Sequence, residues 1–285
     1  MKFLRKRVRA TDACFGLALI VVVSGCAPES NPSAPDARMV DAGGHRLEMV
    51  FQGGGAPAVV FDAGMIGGMQ NWSMVRDSVA LHTQTVIFER AGFGNSEEGP
   101  SPRTAQQLAA ELHTALENAG IGFPVVLVGH SAGGLFSRVF AARYPGDIAG
   151  LVLVDASTEE VYDYMRNSDP DRWDGYVDEV RGLYEMPPGW FGQWEALPVS
   201  LAQARESWPL PAVTTVVLSA LTAVGEWPLE SDQDMEVWES SQLALAGRIP
   251  DAEHVVLPHA HHMSILEEAA LREKILEVVD RATRR

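Results

Sequence analysis

The sequence predicts an α/β fold: a mostly parallel sheet, helices on both of its faces, and a helical cap inserted over one edge. Three observations predict it. Short apolar runs alternate with helix-like stretches from residue 38 onward. Two of those runs, 125–128 (Val-Val-Leu-Val) and 151–154 (Leu-Val-Leu-Val), are apolar without a break, as strands buried on both faces are. After Asp155 the alternation stops, and 157–210 is rich in acids and aromatics.

Residues 38–41, a Gly43-Gly44 turn and 45–51 read as a hairpin. Gly53-Gly54-Gly55 breaks it, and 58–61 is a short apolar strand. Residues 71–81 read as helix and 85–88 as strand; 104–119 has helical periodicity and ends at Gly120. Strand 125–128, helix 132–144 (stopped by Pro145-Gly146) and strand 151–154 follow. The segment 157–210 holds Tyr162, Tyr164, Trp173, Tyr176, Tyr184, Trp190, Trp194 and Trp208, and its spacing suggests several short helices that cap the sheet edge. Strand character returns at 214–218 and 255–257, with helices at 235–246 and 266–279. No repeat is visible, and 38–285 reads as one domain.

Of the 285 residues, 46% are hydrophobic and 21% charged, an ordinary globular mixture. Lys and Arg number 22 against 38 Asp and Glu, for a net charge of −16. Residues 1–25 carry five basic side chains and one acid, so their removal leaves 17 basic against 37 acidic groups, a balance of −20. Such a surface repels phosphates, which excludes nucleic acid as a partner and makes highly anionic substrates poor ones.

The N-terminus is basic over residues 1–9 and apolar over 13–23, too short to span a bilayer comfortably and of signal-peptide proportions. Val23-Ser24-Gly25-Cys26 follows and resembles the lipobox of bacterial lipoproteins. That resemblance implies cleavage before Cys26, lipidation of its thiol and a membrane anchor of several acyl chains. Ala27 is not the Asp that favours inner-membrane retention, so the expected address in a cell with two membranes is the periplasmic face of the outer one. Residues 26–37 then form the lipidated Cys and a flexible tether. Cys14, the other cysteine, falls in the removed segment.

Gly129-His130-Ser131-Ala132-Gly133 fits G-x-S-x-G, directly after an apolar strand and opening a helix. A turn that sharp strains the serine backbone and lifts its hydroxyl over the sheet, and side chains at 129 and 133 would collide there. Here the chain resembles the α/β-hydrolase family over almost all of 38–285. The resemblance makes Ser131 the nucleophile and the amides of Met65 and Ala132 the oxyanion hole. Phe61-Asp62-Ala63-Gly64-Met65 stands where that family has His-Gly-x, with Ala63 in place of the His. Glu89-Arg90-Ala91-Gly92-Phe93-Gly94-Asn95-Ser96 looks like its Asp-x-x-Gly-x-Gly-x-Ser turn, with Glu for Asp, and reads as structural.

A serine hydroxyl needs a base. The family supplies one after the last strand, where Pro258-His259-Ala260-His261-His262 lies; His262 aligns with that position, and His261 is the alternative. A zinc site on these histidines would want further ligands that the sequence does not offer, so no metal and no cofactor is expected. His45, His82, His113 and His254 read as surface or structural residues. The acid is less determined. Most relatives place it after the seventh strand, where 219–225 holds no carboxylate. A subset uses the end of the preceding strand, which is Asp155; Glu226, Asp232 and Asp234 are the alternatives. The expected activity is hydrolysis of a small or medium uncharged ester, or a related acyl bond, through an acyl-enzyme on Ser131. The other reading is a non-catalytic binding module on the same fold.

Overall fold

The computed structural model describes residues 34–183, 186–223 and 231–284. The expected signal peptide 1–25, Cys26 and Glu226 lie outside the described residues, as does Tyr184. Among the described residues no helix is long and apolar enough to cross a membrane.

Eight strands form one sheet: β1 (Asp36–Asp41), β2 (Arg46–Gln52), β3 (Val59–Asp62), β4 (Thr85–Phe88), β5 (Val125–His130), β6 (Ile148–Val154), β7 (Thr214–Thr222) and β8 (Glu253–His261). Their order is β1-β2-β4-β3-β5-β6-β7-β8. The first two pairings, β1 with β2 and β2 with β4, are antiparallel; the rest are parallel. The first strand takes in the last two residues of the expected tether. β1 begins at Asp36, inside 26–37, and pairs from Asp36↔Phe51 to Asp41↔Arg46. The Arg38 guanidinium lies 4.3 Å from the Phe51 ring centroid, a cross-strand contact that favours pairing over a polar random coil.

The central strands are apolar throughout because their alternate side chains feed two different cores. Val125, Leu127, Leu151 and Leu153 join one apolar cluster with Leu112, Ala115 and Phe140. Those partners come from α2 (Ala105–Asn118) and α3 (Ala132–Arg143). Val126, Val128, Val152 and Val154 join a second cluster, with Trp72, Val75, Ile275 and Val278. Those come from a 3₁₀ turn (Met69–Trp72), α1 (Ser73–Val79) and α9 (Ala269–Thr283). The helix expected over 71–81 is therefore a 3₁₀ turn followed by a two-turn helix.

The insert after β6 is four helices: α4 (Glu159–Ser168), α5 (Pro170–Leu183), α6 (Pro188–Glu195) and α7 (Leu197–Glu206). A third apolar cluster joins Trp190, Leu197 and Leu201 of this cap to Met65, Ala132, Leu135 and Phe136 beneath it. Helix α8 (Asp232–Arg248) follows β7 and starts on a reciprocal cap between Ser231 and Asp234.

Candidate active site

Parallel strands β3, β5, β6 and β7 bring their C-terminal ends to one edge of the sheet, where crossover loops gather side chains from distant parts of the chain. Ser131 sits where β5 becomes α3, with φ +54°, a region costly for a residue with a Cβ. Its backbone is tied on both sides: Ser131 N donates to Val154 O (3.1 Å), and Ser131 O accepts from Ser157 N (2.9 Å) and Gly134 N (3.0 Å). The flanking glycines are required by space. A Cβ at 129 would lie 2.5 Å from Gly133 O, and one at 133 would lie 2.5 Å from Ala63 O.

Two of the three residues expected to form the catalytic set are in direct contact. His262 follows β8, and its Nδ1 lies 2.6 Å from Asp155 Oδ2. Asp155 ends β6 with φ +44° and is buried. Its other oxygen, Oδ1, accepts from the Ala220 amide and from Trp238 Nε1, each at 2.9 Å. The Trp238 ring also stands edge-on to the His262 ring, with centroids 5.3 Å apart and planes at 88°. A carboxylate held by three donors is fixed in direction. With a carboxylate at Nδ1, the proton sits there and Nε2 is left as the basic nitrogen.

Ser131 Oγ lies 3.4 Å from Ser157 Oγ, its hydrogen-bond partner in this structure, and Ser157 is in turn bonded to Tyr162. His262 contacts the residue before the serine, His130. His130 Nε2 donates to the His262 carbonyl (2.8 Å), and the two rings lie 4.5 Å apart. Burial first, then the proximity of His262, holds the His130 imidazole well below its ordinary range, so it stays neutral.

The two segments that carry the expected oxyanion donors lie beside Ser131. Ala132 opens α3, and the strand end 62–65 runs alongside, where a Cβ on Gly64 would come 3.2 Å from Ser131 Cβ. Of the alternatives to His262 and Asp155, His261 and Asp234 are engaged elsewhere, and Glu226 lies outside the described residues. His261 Nδ1 accepts from the Met263 and Ser264 amides, and Asp234 caps α8 and accepts from Tyr164. His259 faces Glu268 at 3.2 Å. Among the described residues no group of three or more His, Cys, Asp or Glu side chains could hold a metal ion.

The cap aromatics pack mainly on each other. Trp190 stacks on Trp194 (5.8 Å, 12°), which also meets Trp173 and Tyr176. Trp208 belongs elsewhere: it lies between the guanidinium groups of Arg138 and Arg248. Sequence reasoning missed Trp238, Ser157 and His130. Only His130 left a signal, as the variable residue before the nucleophile.

A family profile described as alpha/beta hydrolase fold matches residues 57–182. A probable transporter, efuK, of Hormonema carpetanum is 32% identical over 145 residues, 47% of this chain and 20% of that protein. An AB hydrolase superfamily protein of Gibberella zeae is 25% identical over 71% of this chain and 60% of its own length. The chain thus spans less than two thirds of these two relatives. A putative carbamate hydrolase, RutD, of Pantoea ananatis is 25% identical over 81% of this chain and 90% of its own. Among solved structures, the enol-lactonase of Burkholderia xenovorans superposes with a TM-score of 0.63 at 18% identity, covering 86% of this chain and all of that one. An epoxide hydrolase of Vigna radiata does so with a TM-score of 0.67 at 16% identity, covering 86% and 98%. These likenesses show the fold: a mostly parallel sheet with flanking helices and an inserted helical cap, the architecture of the α/β hydrolases.

Proposed function

We propose that this α/β-hydrolase-fold chain is a serine hydrolase that cleaves a small, uncharged carboxylic ester or related acyl bond. The observation that carries the reading is the 2.6 Å contact from His262 Nδ1 to a carboxylate saturated by two further donors, at the strand edge where Ser131 stands at φ +54°. Ser131 Oγ, swung from Ser157 toward His262 by rotation about its Cα–Cβ bond, attacks the carbonyl carbon while His262 Nε2 takes its proton. The carbonyl π electrons move to oxygen, which the amides of Met65 and Ala132 receive. Collapse breaks the carbon–oxygen bond to the alcohol, which leaves with the proton from His262. Water then attacks the acyl-enzyme, giving its proton to His262, and the acid departs as the proton returns to Ser131.

One relative, the putative carbamate hydrolase RutD at 25% identity, is named for a substrate with an acyl carbonyl, which agrees with this reading. An aspartate-nucleophile route is disfavoured because a serine holds the turn between β5 and α3. A fluorophosphonate probe tests the reading. Wild type should be labelled and Ser131→Ala should not; an unlabelled wild type would mean a binding module. We also propose that Cys26 carries a lipid anchor to the periplasmic face of an outer membrane. On that reading Cys26→Ser moves the protein from the membrane to the soluble fraction, and unchanged membrane recovery contradicts it.

A further inference from the structure

The turn that follows β4 read from sequence as structural, yet its first two residues reach into the loop that carries an oxyanion donor. Arg90 Nη1 donates to Ala63 O at 2.7 Å and Arg90 Nη2 donates to Gly64 O at 2.6 Å. Nη1 also pairs with Asp62 Oδ1 at 2.5 Å, and both side chains are buried. The guanidinium is fixed by the rings of Phe93 and Phe136, each centroid 5.3 Å from Cζ. Its neighbour Glu89 accepts from the Met69 amide (3.1 Å) and so holds the far end of the same loop. The turn is itself tied down, since Ser96 Oγ donates to Glu89 O (2.7 Å) and accepts from Glu48 N (2.8 Å).

Gly64 C=O and Met65 N–H belong to one planar trans peptide and point in opposite directions. Whatever grips the carbonyl oxygen therefore sets the aim of the amide hydrogen. A cation on the oxygen also polarises the amide and makes its N–H a better donor. A simple buried ion pair would need only Asp62; two backbone carbonyls in succession make the fork of Arg90 a clamp on the loop.

We propose that Arg90 is a positioning residue for the oxyanion hole: by holding Ala63 O and Gly64 O it aims the Met65 amide at the developing oxyanion on the substrate carbonyl. The inference rests on the serine-hydrolase reading above. It assigns to the turn after β4 a part in transition-state stabilisation, and it requires arginine, because one lysine ammonium cannot present the same planar fork.

The test compares Arg90→Lys with wild type on p-nitrophenyl acetate and on a trifluoromethyl ketone that adds reversibly to the serine as a tetrahedral adduct. The expected result is a fall in kcat on the order of 10- to 100-fold with KM changed by less than about twofold, and a parallel loss of ketone affinity. A comparator, Arg103→Lys, alters another buried arginine, which pairs with Glu111 and donates to Pro100 O instead of to Ala63 O or Gly64 O; it should lower thermal stability without moving ketone affinity. If Arg90→Lys does not fold, the charge-neutral pair Asp62→Asn with Arg90→Gln takes the same assays with the same expectation. Unchanged kcat and ketone affinity in a folded variant overturn the clamp, as does a loss confined to KM. Wild type that hydrolyses the ester and takes up a fluorophosphonate keeps the hydrolase reading whatever the variants do, so the two failures are told apart.

Discussion

Asp155 has no spare direction: one oxygen takes two donors and the other takes His262. Its neighbourhood also explains the neutral His130. That side chain donates to the His262 carbonyl from a buried position, and a second positive charge beside His262 would oppose the imidazolium that forms in the reaction. The consequence for stability has a definite sign. The unfolded chain takes a proton on this histidine near 6.5, whereas the folded state resists it until well below that value. The contribution is therefore complete above about pH 6.5 and is lost as pH falls toward the depressed folded value. His130→Gln, which keeps a donor for the His262 carbonyl, should show a smaller drop in Tm between pH 7 and pH 5 than wild type. Equal drops in thermal melts at the two pH values would remove His130 as the source.

At the scale of elements, the site is made by strand ends rather than by any one helix. β3 supplies the oxyanion loop, β5 the serine, β6 the carboxylate and β8 the imidazole, while Trp238 of α8 pins the carboxylate from outside. α3 packs closely against the end of β3. Ten of the twelve α3 residues are buried, and residue 133 faces the carbonyls of Asp62 and Ala63 with no room for a methyl group. Gly133→Ala should push the β3 end away from Ser131. We expect a stability cost of about 1–3 kcal/mol, the usual range for overpacking, together with a larger fractional loss of kcat than of substrate binding. Denaturant unfolding and steady-state kinetics measure both; full activity at reduced stability would show that the oxyanion loop is not held by this contact.

These elements were readable to different degrees, for physical reasons. The strands 125–128 and 151–154 announce themselves because both faces bury apolar side chains. β7 and β8 run four residues past the apolar runs visible in the sequence, to Thr222 and His261; backbone pairing such as Thr222↔His261 holds their ends, and only the small Ala220 and Ala260 join the apolar core there. β1 is legible from Arg38 onward as half of a hairpin; only Asp36 and Ala37, its first two residues, look like a linker until their partners on β2 are known. Trp238 and Ser157 could not be read at all: a tryptophan in a helix and a serine after a strand carry no mark of the long-range bonds they make. Asp155 stood one step from legible, named among four acids, and only topology brings one of them to the imidazole.

Over the whole molecule, one acidic domain holds its candidate chemistry at the single edge where parallel strands end, under a cap whose aromatic residues pack on one another and on the site floor. The account stands on one path for the proton, from Ser131 to an imidazole that Asp155 orients. The measurement that bears on it most directly is kcat for p-nitrophenyl acetate in Asp155→Asn beside Glu226→Gln. Asp155→Asn should lose on the order of 10⁴-fold, the usual scale when the acid that sets the histidine tautomer is removed, while Glu226→Gln stays near wild type. A crippled Glu226→Gln beside a nearly active Asp155→Asn would contradict the account.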